Sequence, residues 1–179
     1  MGLFLPPLRF SSVLFVCVLA LAGTERLHAN STEALPLTEA LAASGFKSFA
    51  AIVSASGLQK ELGETGFTCF APIDVALAAM PSTQLQSLRD DPKGVNTLRW
   101  IKYHFIKSEL CKKSDLGIVR EIITWAGQPS YLSITPTKMT LNDTSNIVKF
   151  DLAAKNGIIH GISKALNPNS QDGPDGPAK

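Results

Sequence analysis

Residues 67–74 read Phe-Thr-Cys-Phe-Ala-Pro-Ile-Asp, and this stretch restricts the fold more than any other. Phe67, Cys69 and Ala71 occupy one register and Thr68 and Phe70 the other, so both registers carry apolar side chains. A strand with one face in water alternates apolar with polar; one that is apolar on both registers has to be covered on both sides. Pro72 has no N–H to give to a ladder, so the strand should end there. Asp74 is a good helix N-cap, and the Val-Ala-Leu-Ala-Ala-Met that follows predicts a helix starting directly after it. A central strand covered on both faces needs a chain long enough to supply both layers. With 179 residues there is enough for one domain with a real core.

The rest of the sequence divides into helical signals followed by strand signals. Residues 34–62 read as helical, with Leu37 and Leu41 four apart and Phe46, Phe49, Ile52 and Val53 on one face. Ser44-Gly45 splits this run and Ser56-Gly57 stops it. After Pro81, Thr83 with Gln86 fits a capping box. Asp91-Pro92 predicts a further helix start, with Val95, Leu98 and Ile101 facing inward, running into a strand at Tyr103-His104-Phe105-Ile106. Strand patterns then occupy 120–124, 131–135, 138–141, 147–152 and 158–163, separated by Gly127-Gln128-Pro129, Thr135-Pro136-Thr137, Asn142-Asp143 and Asn156-Gly157. Helices first and strands afterwards predict an α+β domain rather than alternating βαβ units.

The two ends read differently. Arg9 precedes the apolar run Phe-Ser-Ser-Val-Leu-Phe-Val-Cys-Val-Leu-Ala-Leu-Ala-Gly, with small residues at its end, which predicts a secretory signal peptide over 1–22. Ala20-Leu21-Ala22 fits a cleavage site, with Leu27-His28-Ala29 as the alternative, and the apolar run is too short for a stable membrane span. Residues 23–33 form a short segment before the domain at 34–168. The polar tail 169–179 predicts disorder and lacks the apolar end of a GPI-anchor signal. Removal of the leader leaves 16 basic and 15 acidic residues, a net of +1. That balance gives no support to nucleic-acid binding, and the local run Lys102, Lys107, Lys112, Lys113 reads as a solvated face. Two sequons, at Asn30 and Asn142, are candidate N-glycosylation sites in a secreted glycoprotein. Cys69 and Cys111 remain after the leader. In an oxidising compartment they could pair, while Cys69 also fits as a small hydrophobe within its strand, and the sequence leaves both readings open.

Three segments resemble one family. Gly66-Phe67-Thr68-Cys69-Phe70-Ala71-Pro72-Ile73-Asp74 is similar to the first signature of fasciclin-like domains, T-V-F-A-P-T-N. Tyr103-His104-Phe105-Ile106 resembles the Y-H-V-V strand, and Asn156-Gly157-Ile158-Ile159-His160-Gly161-Ile162 the closing N-G-V-I-H-V-I-D strand. Phe46-Lys47-Ser48-Phe49 suits the family's start, and the resemblance covers about 34–168. Cys69 stands in place of a Val, Leu77 of a Phe, and Gly161 and Ser163 of Val and Asp. The resemblance implies a wedge of two β-sheets with several packed helices. It makes Thr68, Phe70, Ala71, Pro72, Tyr103, His104, Asn156, Gly157 and His160 structural motif residues. It also implies a secreted, non-catalytic cell-adhesion or extracellular-matrix module, with Tyr103, His104 and the loop Ser114-Asp115-Leu116 as partner-binding candidates. The expected partners are extracellular proteins, cell-surface receptors or glycans.

The chemistry-bearing residues point the same way. His104 and His160 lie among apolar neighbours without an H-x-x-x-H or C-x-x-C spacing, so hydrogen-bonded core histidines are expected rather than metal ligands. There is no Gly-x-Ser-x-Gly elbow and no Gly-rich phosphate loop. No cofactor and no catalytic residue is expected. The competing class is a secreted enzyme or small-ligand carrier on the same scaffold, which a titratable cluster in an apolar cleft would favour.

Overall fold

The computed structural model describes residues 34–62 and 65–169. The leader, the Asn30 sequon and the tail from 170 onward lie outside the described residues. Helices α1 (Leu37–Ala43), α2 (Lys47–Ser56) and α3 (Gln59–Leu62) precede β1 (Phe67–Pro72). Helices α4 (Asp74–Ala78), α5 (Ser82–Asp90) and α6 (Val95–Lys102) lead into β2 (Phe105–Lys107), and α7 (Lys113–Leu116) follows. Then come β3 (Glu121–Ile123), β4 (Pro129–Ile134), β5 (Met139–Leu141), β6 (Ser145–Ala154) and β7 (Gly157–Ile162). Gly57 ends α2 at φ 75°, a left-handed conformation in which a Cβ is strained.

All six positions of β1 are buried, because a different layer covers each of its faces. Phe67, Cys69 and Ala71 pack with Phe46, Phe49, Val53 and Trp100 in a core beneath the helices. Phe70 points the other way, into a second core with Tyr103, Ile106, Leu116, Leu132, Leu141 and Ile162. Side chains alternate across a strand, so β1 contributes to both cores at once.

The strands follow one another edge to edge in the order β2-β1-β7-β6-β5-β4-β3. β1 runs antiparallel to β2 and parallel to β7, with Phe70 opposite His160. β6 joins the two halves expected as separate sheets: Ser145 and Asn146 pair with β5, while Ile147 to Ala154 pair with β7 through two register shifts. The second core, enclosed between the β1–β7 half and the β3–β5 half, makes the wedge. Pro72 is tolerated because β2 pairs only with Phe67, Thr68 and Cys69, which leaves one neighbour at the proline. Beyond it, Ile73 N–H still reaches Ile162 O at 3.0 Å.

Four local expectations are corrected. Asp74 does not cap α4, whose cap position is Ile73; its carboxylate accepts the Ser48 N–H at 2.8 Å, at the start of α2. Thr83 makes no cap, since α5 begins at Ser82 after Pro81. Helix α6 starts after Gly94 rather than at Asp91, which turns Val95 into solvent at 82% exposure while Trp100 and Ile101 take the core. Tyr103 and His104 form the turn between α6 and β2 instead of strand residues.

Candidate functional site

His104 is fully buried, between the rings of Trp100 (4.4 Å between centroids) and Phe49 (5.4 Å). Leu166 N–H donates to its Nε2 at 3.0 Å, so that nitrogen carries the lone pair. The proton therefore sits on Nδ1, which donates to Trp100 O at 2.9 Å. A second proton would set two N–H groups against each other. Burial holds the imidazole neutral, lowering its pKa to about 4, although the Trp100 carbonyl pulls the other way. The ring thus ties the end of α6 to the segment that follows β7.

His160 has the opposite tautomer. Asp151 N–H donates to Nδ1 at 3.3 Å, and Nε2–H donates to Cys111 O at 2.8 Å. Phe70 stacks on the ring and Phe150 meets it edge-on. Burial lowers its pKa, opposed by the Cys111 carbonyl and the Asp151 carboxylate. Asp151 lies within the second register shift of β6, between Lys149 and Leu152, at φ 54°, and its Oδ1 accepts the Lys113 N–H at 2.9 Å. His160 therefore fastens the 108–112 loop and the β6 irregularity to β7. Thr68 holds the same loop from β1: its hydroxyl donates to Glu109 O at 2.9 Å and accepts the Cys111 N–H at 2.8 Å.

Tyr103 and Asn142 are brought together. The Tyr103 hydroxyl donates to Pro129 O at 3.0 Å and accepts from Asn142 Nδ2 at 3.1 Å. Asn142 Oδ1 accepts from Tyr131 N and Ser130 Oγ, in a residue 3% exposed and at φ 49°. This corrects the Asn142 glycosylation expectation, because the nitrogen that would carry the glycan is a buried donor to Tyr103. It also corrects Tyr103 and His104 as partner-binding candidates, since both are buried.

The loop expected at Ser114-Asp115-Leu116 is helix α7. Ser114 and Asp115 are exposed, and Asp115 Oδ2 caps the helix by accepting the Lys112 N–H at 2.8 Å. Leu116 is fully buried in the second core, which corrects its expected place on a partner-binding surface. Of the two readings left open for the cysteines, the structure has the unpaired one. Both cysteines are free: Cys69 faces the helical core, whereas Cys111 lies beside Thr68 on the opposite side of β1. Burial raises both thiol pKa values, and near Cys111 the Glu109 and Asp115 carboxylates add to it, so neither thiol is activated as a nucleophile. Among the described residues, no group of three His, Cys, Asp or Glu is placed to hold a metal.

The model of the fasciclin domain matches residues 44–168. The chain belongs to the fasciclin domain family. It is 31% identical over 127 residues to the transforming growth factor-beta-induced protein ig-h3 of Sus scrofa, a match spanning 70% of this chain and 18% of that protein. It is 27% identical over 124 residues to protein sll1483 of Synechocystis, spanning 69% of this chain and 67% of that one. Among solved structures it resembles a FAS1 domain pair from the insect cell adhesion molecule Fasciclin I, with TM-score 0.57, 18% identity, and coverage of 78% of this chain and 53% of that one. That likeness is one of fold.

Two departures of this fasciclin domain from the family pattern, Gly161 and Ser163, have local explanations. Gly161 makes room for Phe46: a Cβ there would lie 2.8 Å from Phe46 Cζ. Ser163 keeps an acceptor in place of the missing acid, its Oγ receiving the Asn146 N–H at 3.0 Å while its own N–H donates to Asn146 O. Sequence reasoning did not single out Trp125. The signal was present: an indole in a turn before Gly127, where polar residues are usual.

Proposed function

We propose that this fasciclin domain is a secreted, non-catalytic adhesion module that binds extracellular proteins, cell-surface receptors or glycans. The observation that carries the reading is the state of its two domain histidines. Each has both ring nitrogens engaged by backbone or loop partners, and each is held neutral by burial. A general base needs a free nitrogen within reach of a substrate proton, and neither ring offers one. Membership of the fasciclin domain family, with the transforming growth factor-beta-induced protein ig-h3 among its relatives, supports the same reading. Among the described residues no helix is long and apolar enough to cross a membrane.

The binding surface is assigned to the exposed side of α7, at Ser114 and Asp115. The pair projects beside Lys112 and Lys113 on a helix anchored by Leu116 below and by the Asp151 carboxylate at Lys113. An anchored helix presents its side chains with little entropy left to lose on binding. The test is retention of cells on surfaces coated with the full chain or with a Ser114→Ala/Asp115→Asn variant. Asn at 115 keeps the cap acceptor, so the fold is preserved. Retention should fall about threefold or more with an unchanged melting temperature. Equal retention by both proteins would remove α7 from the binding surface.

A further inference from the structure

The basic run that reads as a solvated face in sequence is divided by the fold, and two of its lysines converge on one indole. Lys102 Nζ, from the end of α6, lies 4.8 Å from the centre of the Trp125 ring, and Lys107 Nζ, from β2, lies 5.0 Å from it. No more than about 10 Å can therefore separate the two ammoniums, each within cation–π range of the indole. Lys102 is paired with Glu61 at 3.2 Å. Lys107 is exposed, and that Lys102–Glu61 contact is the one ion pair among the described residues. The pair of lysines is thus left with net positive charge beside a half-buried indole.

We propose that Lys102, Lys107 and Trp125 form a binding site for an anionic, sulfated polysaccharide. The proposal rests on the adhesive reading and names a glycan class for it, at a place other than α7. An ammonium pair set around an indole suits a polymer that alternates charged groups with the flat C–H faces of sugar rings. The chemistry is less suited to a lipid surface, where a tryptophan has to project into the headgroup layer. Trp125 does not project: its backbone N–H donates to Phe105 O at 2.6 Å, and its half-buried ring meets Phe105 edge-on at 6.3 Å. The indole packs against Phe105, and the exposed Lys107 ammonium beside it is the charge open to a sulfate.

The test uses the full chain with heparin as the sulfated probe, dextran as the neutral one, and phosphatidylcholine–phosphatidylserine vesicles as the lipid. Wild type should bind heparin and not dextran, with affinity falling as salt rises. Binding should change the fluorescence of Trp125, since Trp100 is buried away from solvent. Lys107→Gln should weaken heparin binding about fivefold or more, whereas Lys138→Gln, the same charge change on the exposed β4–β5 turn, should leave it unchanged. Equal loss in the two variants, absence of heparin binding, or vesicle binding that heparin does not compete would each overturn the site. Cell retention by the coated wild type separates the two ideas. Retention without heparin binding sinks this site and spares the adhesive reading; heparin binding without retention does the reverse.

Discussion

Two asymmetric hydrogen bonds define each histidine, and they fix its charge as well as its place. His104 titrates near pH 6.5 when unfolded and about 4 when folded, because burial disfavours the imidazolium. Below 6.5 the unfolded chain takes up a proton that the folded one refuses, so stability is full above about pH 6.5 and falls as pH drops toward 4. The loss from this one residue is about 3 kcal/mol at its limit. His160 shifts the same way and adds to it. Urea unfolding at pH 7 and pH 4.5 should show the drop, and His104→Gln should be less stable at pH 7 with a flatter pH profile. A steep profile retained in His104→Gln, with His160 intact, would assign the effect elsewhere. Asn142 makes a parallel case. Its side chain joins Tyr103, Ser130 and Tyr131, so Asn142→Ala should cost about 2–4 kcal/mol, read as a lower urea midpoint. The buried role of His104 was legible because an ionisable residue among apolar neighbours needs partners. The role of Asn142 was not, because a sequon and a left-handed turn asparagine are written with the same letters.

Element by element, β1 was the most legible, since two apolar registers ended by a proline admit few alternatives. The helix starts were the least legible. Asp74, Thr83 and Asp91 all carry the right chemistry for a cap, but tertiary contacts decided its use: Asp74 serves the neighbouring α2, and α6 waits for Gly94. The β7 strand shows why a single letter can depend on a distant one. Gly161 and Phe46 fill the same space, with the Phe46 ring also under Lys149 Nζ, which donates to Ser44 O at 2.8 Å. Gly161→Val should therefore destabilise the chain by about 1–3 kcal/mol through overpacking. Adding Phe46→Leu should recover part of that loss. The thermal melts of the two single variants and the double variant form a cycle that measures it, and strictly additive losses would show that the two positions do not share space.

At the scale of the whole molecule, the order of helices, central strand and closing strands gave the α+β wedge, because each motif needed the others for cover. The proposed binding surface was less legible: sequence placed Ser114, Asp115 and Leu116 on one loop, whereas the short helix exposes the first two and buries the third. The Trp125 platform joins α6, β2 and the β3–β4 turn, three segments that no local pattern links. On the proposed adhesive reading, one domain should bind each partner modestly, and many copies on a surface should bind with avidity about 10²–10⁴ greater when geometry permits. The most direct test is cell retention under flow on surfaces coated at graded density, compared with an inert protein of similar size. Retention should exceed the inert surface and climb steeply with density, while the soluble chain at equal concentration competes weakly. Retention no better than the inert protein, together with turnover of a substrate that disappears in His104→Gln or Cys69→Ala, would contradict a non-catalytic adhesive role.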